Sequence, residues 1–456
     1  MQINHSLQIQ DLKPQIESLF ELSGQKILAI ENTWKPENGT PVFTVAGQYT
    51  TRGWTEWTQG FQFGSAILQF DATGDEQFLD IGRKNTIEKM APHVTHIGVH
   101  DHGFNNVSTY GNLRRLMLEG IISRDNNEMH FYEIALKASA AVQASRWTEI
   151  KDGTGYIASF NGPHSLFSDT IRSLRVLALG HTLGAVLMGE GDVAFNLLDR
   201  LVQHSQTTAK YNVYYGEDRD AYDVRGRVVH ESIFNTNDGN FRCPSTQQGY
   251  SPFTTWTRGL AWIITGYAEQ LEFFDTLSEA DLEPYGGYAE VTAHMRKAAE
   301  ATADFYIENT AQDGIPYWDT GAPGLAELND YLTAPADPYN DYEPVDSSAA
   351  AIAAQGLIRL GNYHKKHGNA ETGNTYYQAG LTVANTLFAE PYLSTSDTHQ
   401  GLLLHSVYHR PNGWDYVPEG KKIPCGEASM WGDYHARELA LLLLREIEEK
   451  PYLTFF

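Results

Sequence analysis

Ala66-Ile67-Leu68-Gln69-Phe70-Asp71-Ala72-Thr73-Gly74-Asp75-Glu76-Gln77-Phe78-Leu79 reads as the end of one helix, a break, and the start of the next. Ala66, Ile67, Leu68 and Phe70 extend an apolar face that follows Trp57-Thr58-Gln59-Gly60-Phe61, and Phe78, Leu79 and Ile81 open another. Between the two, Gly74 can take the left-handed backbone that closes a helix, and Asp75 can cap the helix that follows. The same pattern returns twice. Residues 170–189 run to Gly191-Asp192 and restart at Phe195, Leu197 and Leu198, and residues 348–366 reach Gly368, Asn369, Gly373 and Asn374 and restart at Tyr376, Tyr377 and Leu381.

Further helical periodicity covers residues 11–23, with Pro14 in the first turn, and residues 111–120, 130–147, 256–277, 289–309 and 433–449. That makes about a dozen helices, while Lys210–Tyr215 and Arg227–Phe234 are the best strand candidates. Paired helices in such number stack as an open solenoid or close into a toroid. A solenoid needs a regular period and polar caps. Here the hairpins are unevenly spaced and separated by long glycine-rich stretches at 148–164, 216–255, 312–346 and 390–430. Loops of that length usually serve function. The expectation is an all-α closed toroid with these loops at one mouth, in a single domain over residues 1–456. Residues 1–50 supply an N-terminal helix and loop that pack on it.

Composition narrows the function. Lys and Arg number 33 against 57 Asp and Glu, a formal charge of −24, which opposes binding to nucleic acid or anionic membranes. An acidic ligand then needs a local cationic pocket. Aromatic residues make up 12% of the chain, enough to cover sugar faces as well as fill a core. Cys243 and Cys425 lack metal-site spacing and read as free thiols, with one disulfide as the alternative. No apolar run approaches the roughly 18 residues of a membrane span, and Met1-Gln2-Ile3-Asn4-His5-Ser6-Leu7 has no leader character. A cytoplasmic chain is expected, or a periplasmic one if a signal was trimmed; a homodimer is compatible with the sequence.

Two aspartates stand out. Asp101 lies between His100 and His102 and before Gly103, and reads either as an acid tuned by its neighbours or as a helix N-cap. Asp169, in Ser165-Leu166-Phe167-Ser168-Asp169, opens an apolar helix and reads either as a cap or as a proton donor raised by a second carboxylate. His96, His100 and His102 have spacings that can ligate zinc, but the strand expected beneath such a site is missing. Farther on, Arg258 stands between Trp256 and Trp262 after His230 and Gln248-Gly249. Its guanidinium can pair with a carboxylate or stack on core rings.

Together these stretches resemble the unsaturated glucuronyl hydrolases, glycoside hydrolase family 88, over roughly residues 50–445. The matching segments are Trp57-Thr58-x-Gly60-Phe61, His100-Asp101-x-Gly103-Phe104, Asp169 at the head of its helix, His230, Gln248-Gly249, and Trp256-Thr257-Arg258-Gly259-x-Ala261-Trp262. Asp313-Gly314-x-x-Tyr317-Trp318-Asp319, Asp346-Ser347-Ser348-Ala349 and Trp431-Gly432-Asp433-Tyr434 complete the series. Departures from the family pattern fall at Gln59, Gln62 and His102, close in sequence to the sugar-pocket motifs.

The resemblance implies an (α/α)6 barrel that removes 4,5-unsaturated uronic acid from the non-reducing end of lyase-generated oligosaccharides, without metal or cofactor. It implies Asp169 as general acid/base and Asp101 as its partner carboxylate, and it places Trp57, His100, His230, Gln248, Trp256, Arg258 and Trp262 around the substrate. The implied chemistry is hydration of the C4=C5 vinyl ether, with Asp101 keeping Asp169 protonated. The rivals are a β-glucuronidase on saturated uronosides in the same barrel and a uronate-binding toroid without turnover.

Overall fold

The computed structural model describes residues 1–456. The first helical segments are α1 (Lys13–Thr33), α2 (Gln59–Thr73) and α3 (Glu76–Lys89). Next come α4, built from His102–Asn106, the π-helical turn Val107–Gly111 and Asn112–Leu118, and α5 (Asn126–Ser145). They are followed by α6 (Thr170–Ser173 continued by Arg175–Thr182), α7 (Leu197–Tyr211), α8 (Thr257–Phe274) and α9 (Tyr288–Glu308). The last are α10 (Ser347–Lys366), α11 (Ala370–Leu387) and α12 (Met430–Ile447).

Even-numbered helices pack in sequence, α2 on α4, α4 on α6, α6 on α8, α8 on α10 and α10 on α12, and α12 returns to α2. This closes an inner ring of six. Each odd-numbered helix lies outside an inner one, and α1 fills the last outer place, against α12 and α2. The expected α/α toroid is what forms. Inner helices are apolar nearly all round because they are covered on every side, and α8 and α12 are buried over almost their whole length. Below the mouth the ring's centre is polar. Arg172 donates to Glu269 and Glu438 at 2.7–3.0 Å, and Arg175 approaches the same two acids at 3.6–3.7 Å.

The Gly-Asp/Asn breaks hold unequally. Gly74 closes α2 at φ +72°, and the Asp75 side chain accepts from Gln77 N–H to cap α3. The segment expected as helix over 170–189 ends at Thr182. Gly191-Asp192 instead turns a two-stranded hairpin, Val186–Met188 against Ala194–Asn196, with both residues at positive φ. Gly373 lies inside α11 rather than before it, because its backbone rests against Gly361 of α10 with no room for a side chain. Of Lys210–Tyr215 the first two residues end α7 and Val213 makes only an isolated bridge to Val228. Of Arg227–Phe234 only Glu231–Phe234 is a strand, pairing with Ser165–Phe167 on one side and Phe241–Ser245 on the other.

Candidate active site

Inner helices of an α/α ring run parallel, so their N-terminal ends gather at one mouth. A cleft of about 420 Å³ opens there, lined by Trp57 before α2, Asp101 and Phe104 at α4, Asp169 at α6, and Trp256, Arg258 and Trp262 at α8. Helix N-termini carry partial positive charge, which favours an anionic ligand in such a mouth. Three of the four expected loops reach the cleft. Residues 148–164 contribute Phe160, 216–255 contribute Gln247 and Gln248, and 390–430 contribute Tyr408, His409, Asn412 and Trp414.

Asp101 and Asp169 head α4 and α6, and neither side chain caps its own helix. Both are free to face the cleft. The first turns of these helices touch. Gly103 N–H donates to Ser173 Oγ at 3.0 Å, and a Cβ on Gly103 would stand 2.0 Å from the Ser173 carbonyl oxygen. That contact explains the glycine of the His100-Asp101-x-Gly103-Phe104 motif. It brings the two carboxylates to one nitrogen: His100 Nε2 lies 3.1 Å from Asp169 Oδ1 and 3.8 Å from Asp101 Oδ1. On the far side of the ring, Phe160 N–H donates to His100 Nδ1 at 3.1 Å. An atom that accepts from a backbone N–H carries no proton, so Nε2 holds it and donates to Asp169.

The two acids are not equivalent. Burial raises Asp169, but His100, His230 and Arg258 outweigh it and hold this carboxyl below the usual carboxylate range. Burial and the charge of Asp169 raise Asp101, against His100 and Arg146. The protein's own groups therefore oppose the expectation that Asp101 keeps Asp169 protonated. Asp169 is the hydrogen-bonded anion and Asp101 the readier proton holder, because the His100 hydrogen bond and Arg258 act on Asp169 while burial and the Asp169 charge prevail at Asp101. For His100, burial lowers the pKa and the two aspartates raise it to a net increase. Protonation at Nδ1 would break the Phe160 bond, which favours the neutral ring.

Arg258 is almost wholly engaged by protein. One terminal nitrogen donates to Asp346 Oδ2 at 2.8 Å and to the Val407 carbonyl at 2.5 Å, the other to the Tyr408 carbonyl at 2.8 Å and Gln248 Oε1 at 3.2 Å. The guanidinium lies 4.6 Å from the Trp256 ring and 5.0 Å from Trp431. Both expected roles are thus present, the ion pair and the stack, although the second ring is Trp431 and not Trp262. Because Gln248 accepts through its oxygen, its amide NH₂ is left for the cleft. Asp346 also caps α10 through Ser348 and Ala349 N–H, so the Asp346-Ser347-Ser348-Ala349 motif anchors Arg258. Asp319, raised by burial to about 6, accepts from Tyr250 N–H and secures the Gln247–Tyr250 turn. Asp433 gathers Leu402 N–H, Leu403 N–H and the Tyr49 hydroxyl.

Of the residues expected around a substrate, Trp57, His100, Gln248, Trp256, Arg258 and Trp262 line the cleft. His230 stands just behind it, 4.3 Å from the Phe167 ring and 4.8 Å from the Trp256 ring. Its Nδ1 accepts from Gln247 N–H at 3.0 Å, and its buried Nε2 has no protein partner. Burial lowers it to about 4. The zinc-like histidines diverge, since His102 bonds Ser139 and the His96 carbonyl instead of turning to His100. Gln59, Gln62 and His102 are all absent from the cleft wall, and Gln59 pairs with His93 on the flank of α2. The departures from the family pattern therefore do not alter the pocket directly. Sequence reasoning missed Glu56, Phe160, Tyr408, His409, Asn412 and Trp414. The only signal for them was aromatic and polar residues on long loops. Both cysteines are free thiols.

No protein-family model matches the chain. Among curated proteins it is 26% identical over 385 residues to an unsaturated glucuronyl hydrolase of Formosa agariphila, covering 84% of this chain and 78% of that one. It is 25% identical over 408 residues to an unsaturated glucuronyl hydrolase of Bacillus sp. (strain GL1), covering 88% and 90%. A crystal structure of the unsaturated glucuronyl hydrolase from Bacillus sp. GL1 superposes with a TM-score of 0.70 at 20% identity, over 95% of this chain and 96% of that chain. A crystal structure of an unsaturated glucuronyl hydrolase specific for heparin gives 0.71 at 19% identity, over 96% and 98%. The resemblance read from the motifs is borne out, and so is the toroid.

Proposed function

We propose that the chain is a glycoside hydrolase that releases 4,5-unsaturated uronic acid from the non-reducing end of lyase-generated oligosaccharides by hydrating the C4=C5 bond. The observation that carries this reading is the pair of buried carboxylates sharing His100 Nε2 at 3.1 and 3.8 Å, in a cleft walled by Trp57, Trp256 and Trp262. The likeness to unsaturated glucuronyl hydrolases over most of both chains supports it.

The uronate carboxylate is drawn to the helix N-termini of the mouth and receives hydrogen bonds from the Gln248 amide, whose orientation Arg258 fixes. His230, behind the cleft, accepts from Gln247 N–H at 3.0 Å and so steadies the turn that presents Gln248. The added negative charge of the uronate offsets the Arg258 charge that helps depress Asp169 and raises the proton affinity of that carboxyl. Asp169 takes up the proton that Asp101 holds more readily before substrate binds. It delivers that proton to C4, and positive charge develops at C5 and the ring oxygen. The resulting carboxylate accepts a proton from water as the water oxygen bonds to C5. The hemiketal opens by breaking the bond from C5 to the ring oxygen, making C5 a ketone and C1 a hemiacetal. The hemiacetal collapses to a C1 aldehyde as its hydroxyl proton passes to the glycosidic oxygen, and the rest of the oligosaccharide leaves as an alcohol. The acetal itself is not attacked, so the carboxylate spacing of ordinary glycosidases sets no constraint here.

A panel of lyase-generated unsaturated disaccharides, followed by ultraviolet absorbance beside an aryl β-glucuronide, tests the assignment. Loss of the unsaturated-uronate band without aryl release is expected. Aryl release alone would transfer the site to a β-glucuronidase, and tight binding without product to a binding protein.

A further inference from the structure

The inner cleft accounts for the uronate, and the outer cleft has a chemistry of its own. Tyr408, His409, Asn412 and Trp414 line it together with Thr55 and Glu56, and burial together with the nearby Glu56 carboxylate raises the Tyr408 hydroxyl. The Tyr408 and Trp414 rings lie 5.2 Å apart, and Trp414 is 39% exposed, open to a ligand. Arg52 rests 5.5 and 5.2 Å from these two rings and donates to the Trp414 carbonyl. His409 packs on Trp414, and burial lowers it to about 4, so it is neutral near pH 7.

Glu56 is half-buried in the cleft lining. Burial and the neighbouring Asp101 carboxylate raise its carboxyl above the usual carboxylate range, against the Trp57 backbone N–H and Arg52, which favour the charged form. Lining the cleft are the acids Glu56, Asp101 and Asp169 and the base Arg258, which is bound to Asp346; Arg52, outside the lining, is held over the Tyr408 and Trp414 rings. No lysine lines it. A sulfate on the leaving sugar would meet a carboxylate where it needs a cation, while a sugar hydroxyl would meet a strong acceptor.

We propose that the leaving sugar is uncharged and that Glu56 enforces this, accepting a hydroxyl of an unsulfated sugar stacked on Trp414 and repelling a sulfated one. The inference rests on the reaction assigned above and names the substrate class for it.

The test is kcat/KM of the full-length protein on two unsaturated disaccharides that differ only by one sulfate on the reducing-side sugar. A preference of about tenfold or more for the unsulfated one is expected, narrowing as salt is raised. Glu56→Gln is expected to bring the ratio toward one. Equal or reversed preference in the wild type would overturn the inference. So would a wild-type preference that Glu56→Gln leaves unchanged. Failure to turn over either disaccharide, or any other unsaturated one, is a different result that removes the reaction and this inference together.

Discussion

Replacing Asp169 with Asn changes one atom of the site and leaves its shape. The amide oxygen can still accept from His100 Nε2, 3.1 Å away in the wild type, and the buried helix start keeps its volume. What is lost is the proton that must reach C4. A positioned general acid contributes about 10²- to 10⁴-fold, which corresponds to roughly 3–5 kcal/mol of barrier. No other residue replaces it readily. Asp101 stands 3.8 Å from His100 Nε2 without a hydrogen bond to it, and the neutral His100 directs its one N–H to Asp169. The expected outcome is a loss of at least about 10²-fold in kcat. KM should change little, because Gln248 and Arg258 are untouched. The unfolding midpoint should stay within a few degrees, since no buried cation loses its partner. The assay is continuous loss of unsaturated-uronate absorbance on a disaccharide, with thermal unfolding in parallel. More than a tenth of wild-type turnover in a folded variant would refute the reasoning.

Four other outcomes follow from the same contacts. With Asp169 depressed and Asp101 raised, the pair holds one proton between two apparent pKa values, so kcat/KM should fall as pH rises through the upper one and as it drops through the lower; Asp101→Asn removes the like charge and should move the alkaline limb to lower pH, and an unmoved limb contradicts the coupling. Arg258→Lys cannot reproduce bonds to Asp346, Gln248 and two carbonyls; each charged hydrogen bond lost is worth about 1.5–3 kcal/mol, so kcat/KM should fall by tenfold or more, and near-normal kinetics would contradict it. Gly103→Ala forces a Cβ to within 2.0 Å of the Ser173 carbonyl; urea unfolding should show a loss above the roughly 1–3 kcal/mol of ordinary overpacking, and wild-type stability would deny the contact. Glu269→Ala leaves Arg172 and Arg175 short of a buried partner; the cost should be about 3–5 kcal/mol in the same experiment, and a negligible change would contradict the network's place in the core.

Much of this was legible in the chain. The Gly74-Asp75 break and the apolar faces on either side gave the first hairpin, because the glycine conformation and the cap are local properties. Gly191-Asp192 carries the same local signal and turns strands instead, since the preference for positive φ says nothing about what flanks it. The helix-start aspartates were visible as candidates, and the ring supplied what sequence could not: which starts share a mouth. Their proton affinities were misjudged because they depend on His100, Arg258 and Arg146, whose approach is set by tertiary packing. Glu56, Tyr408 and Trp414 escaped notice for a related reason. They sit on loops whose path follows no periodicity and is fixed by contacts such as Arg52 with Trp414.

The central claim is that the double bond is hydrated and the glycosidic acetal is never attacked directly. Early-time NMR of a single unsaturated disaccharide turning over in D₂O tests it. The account predicts that each leaving sugar released is matched by one solvent deuteron at C4 of the uronate, delivered to a single face, with the alkene signal lost in step. Release of the leaving sugar with the C4=C5 bond intact, or deuterium scrambled over both faces of C4 at the earliest times, would contradict it.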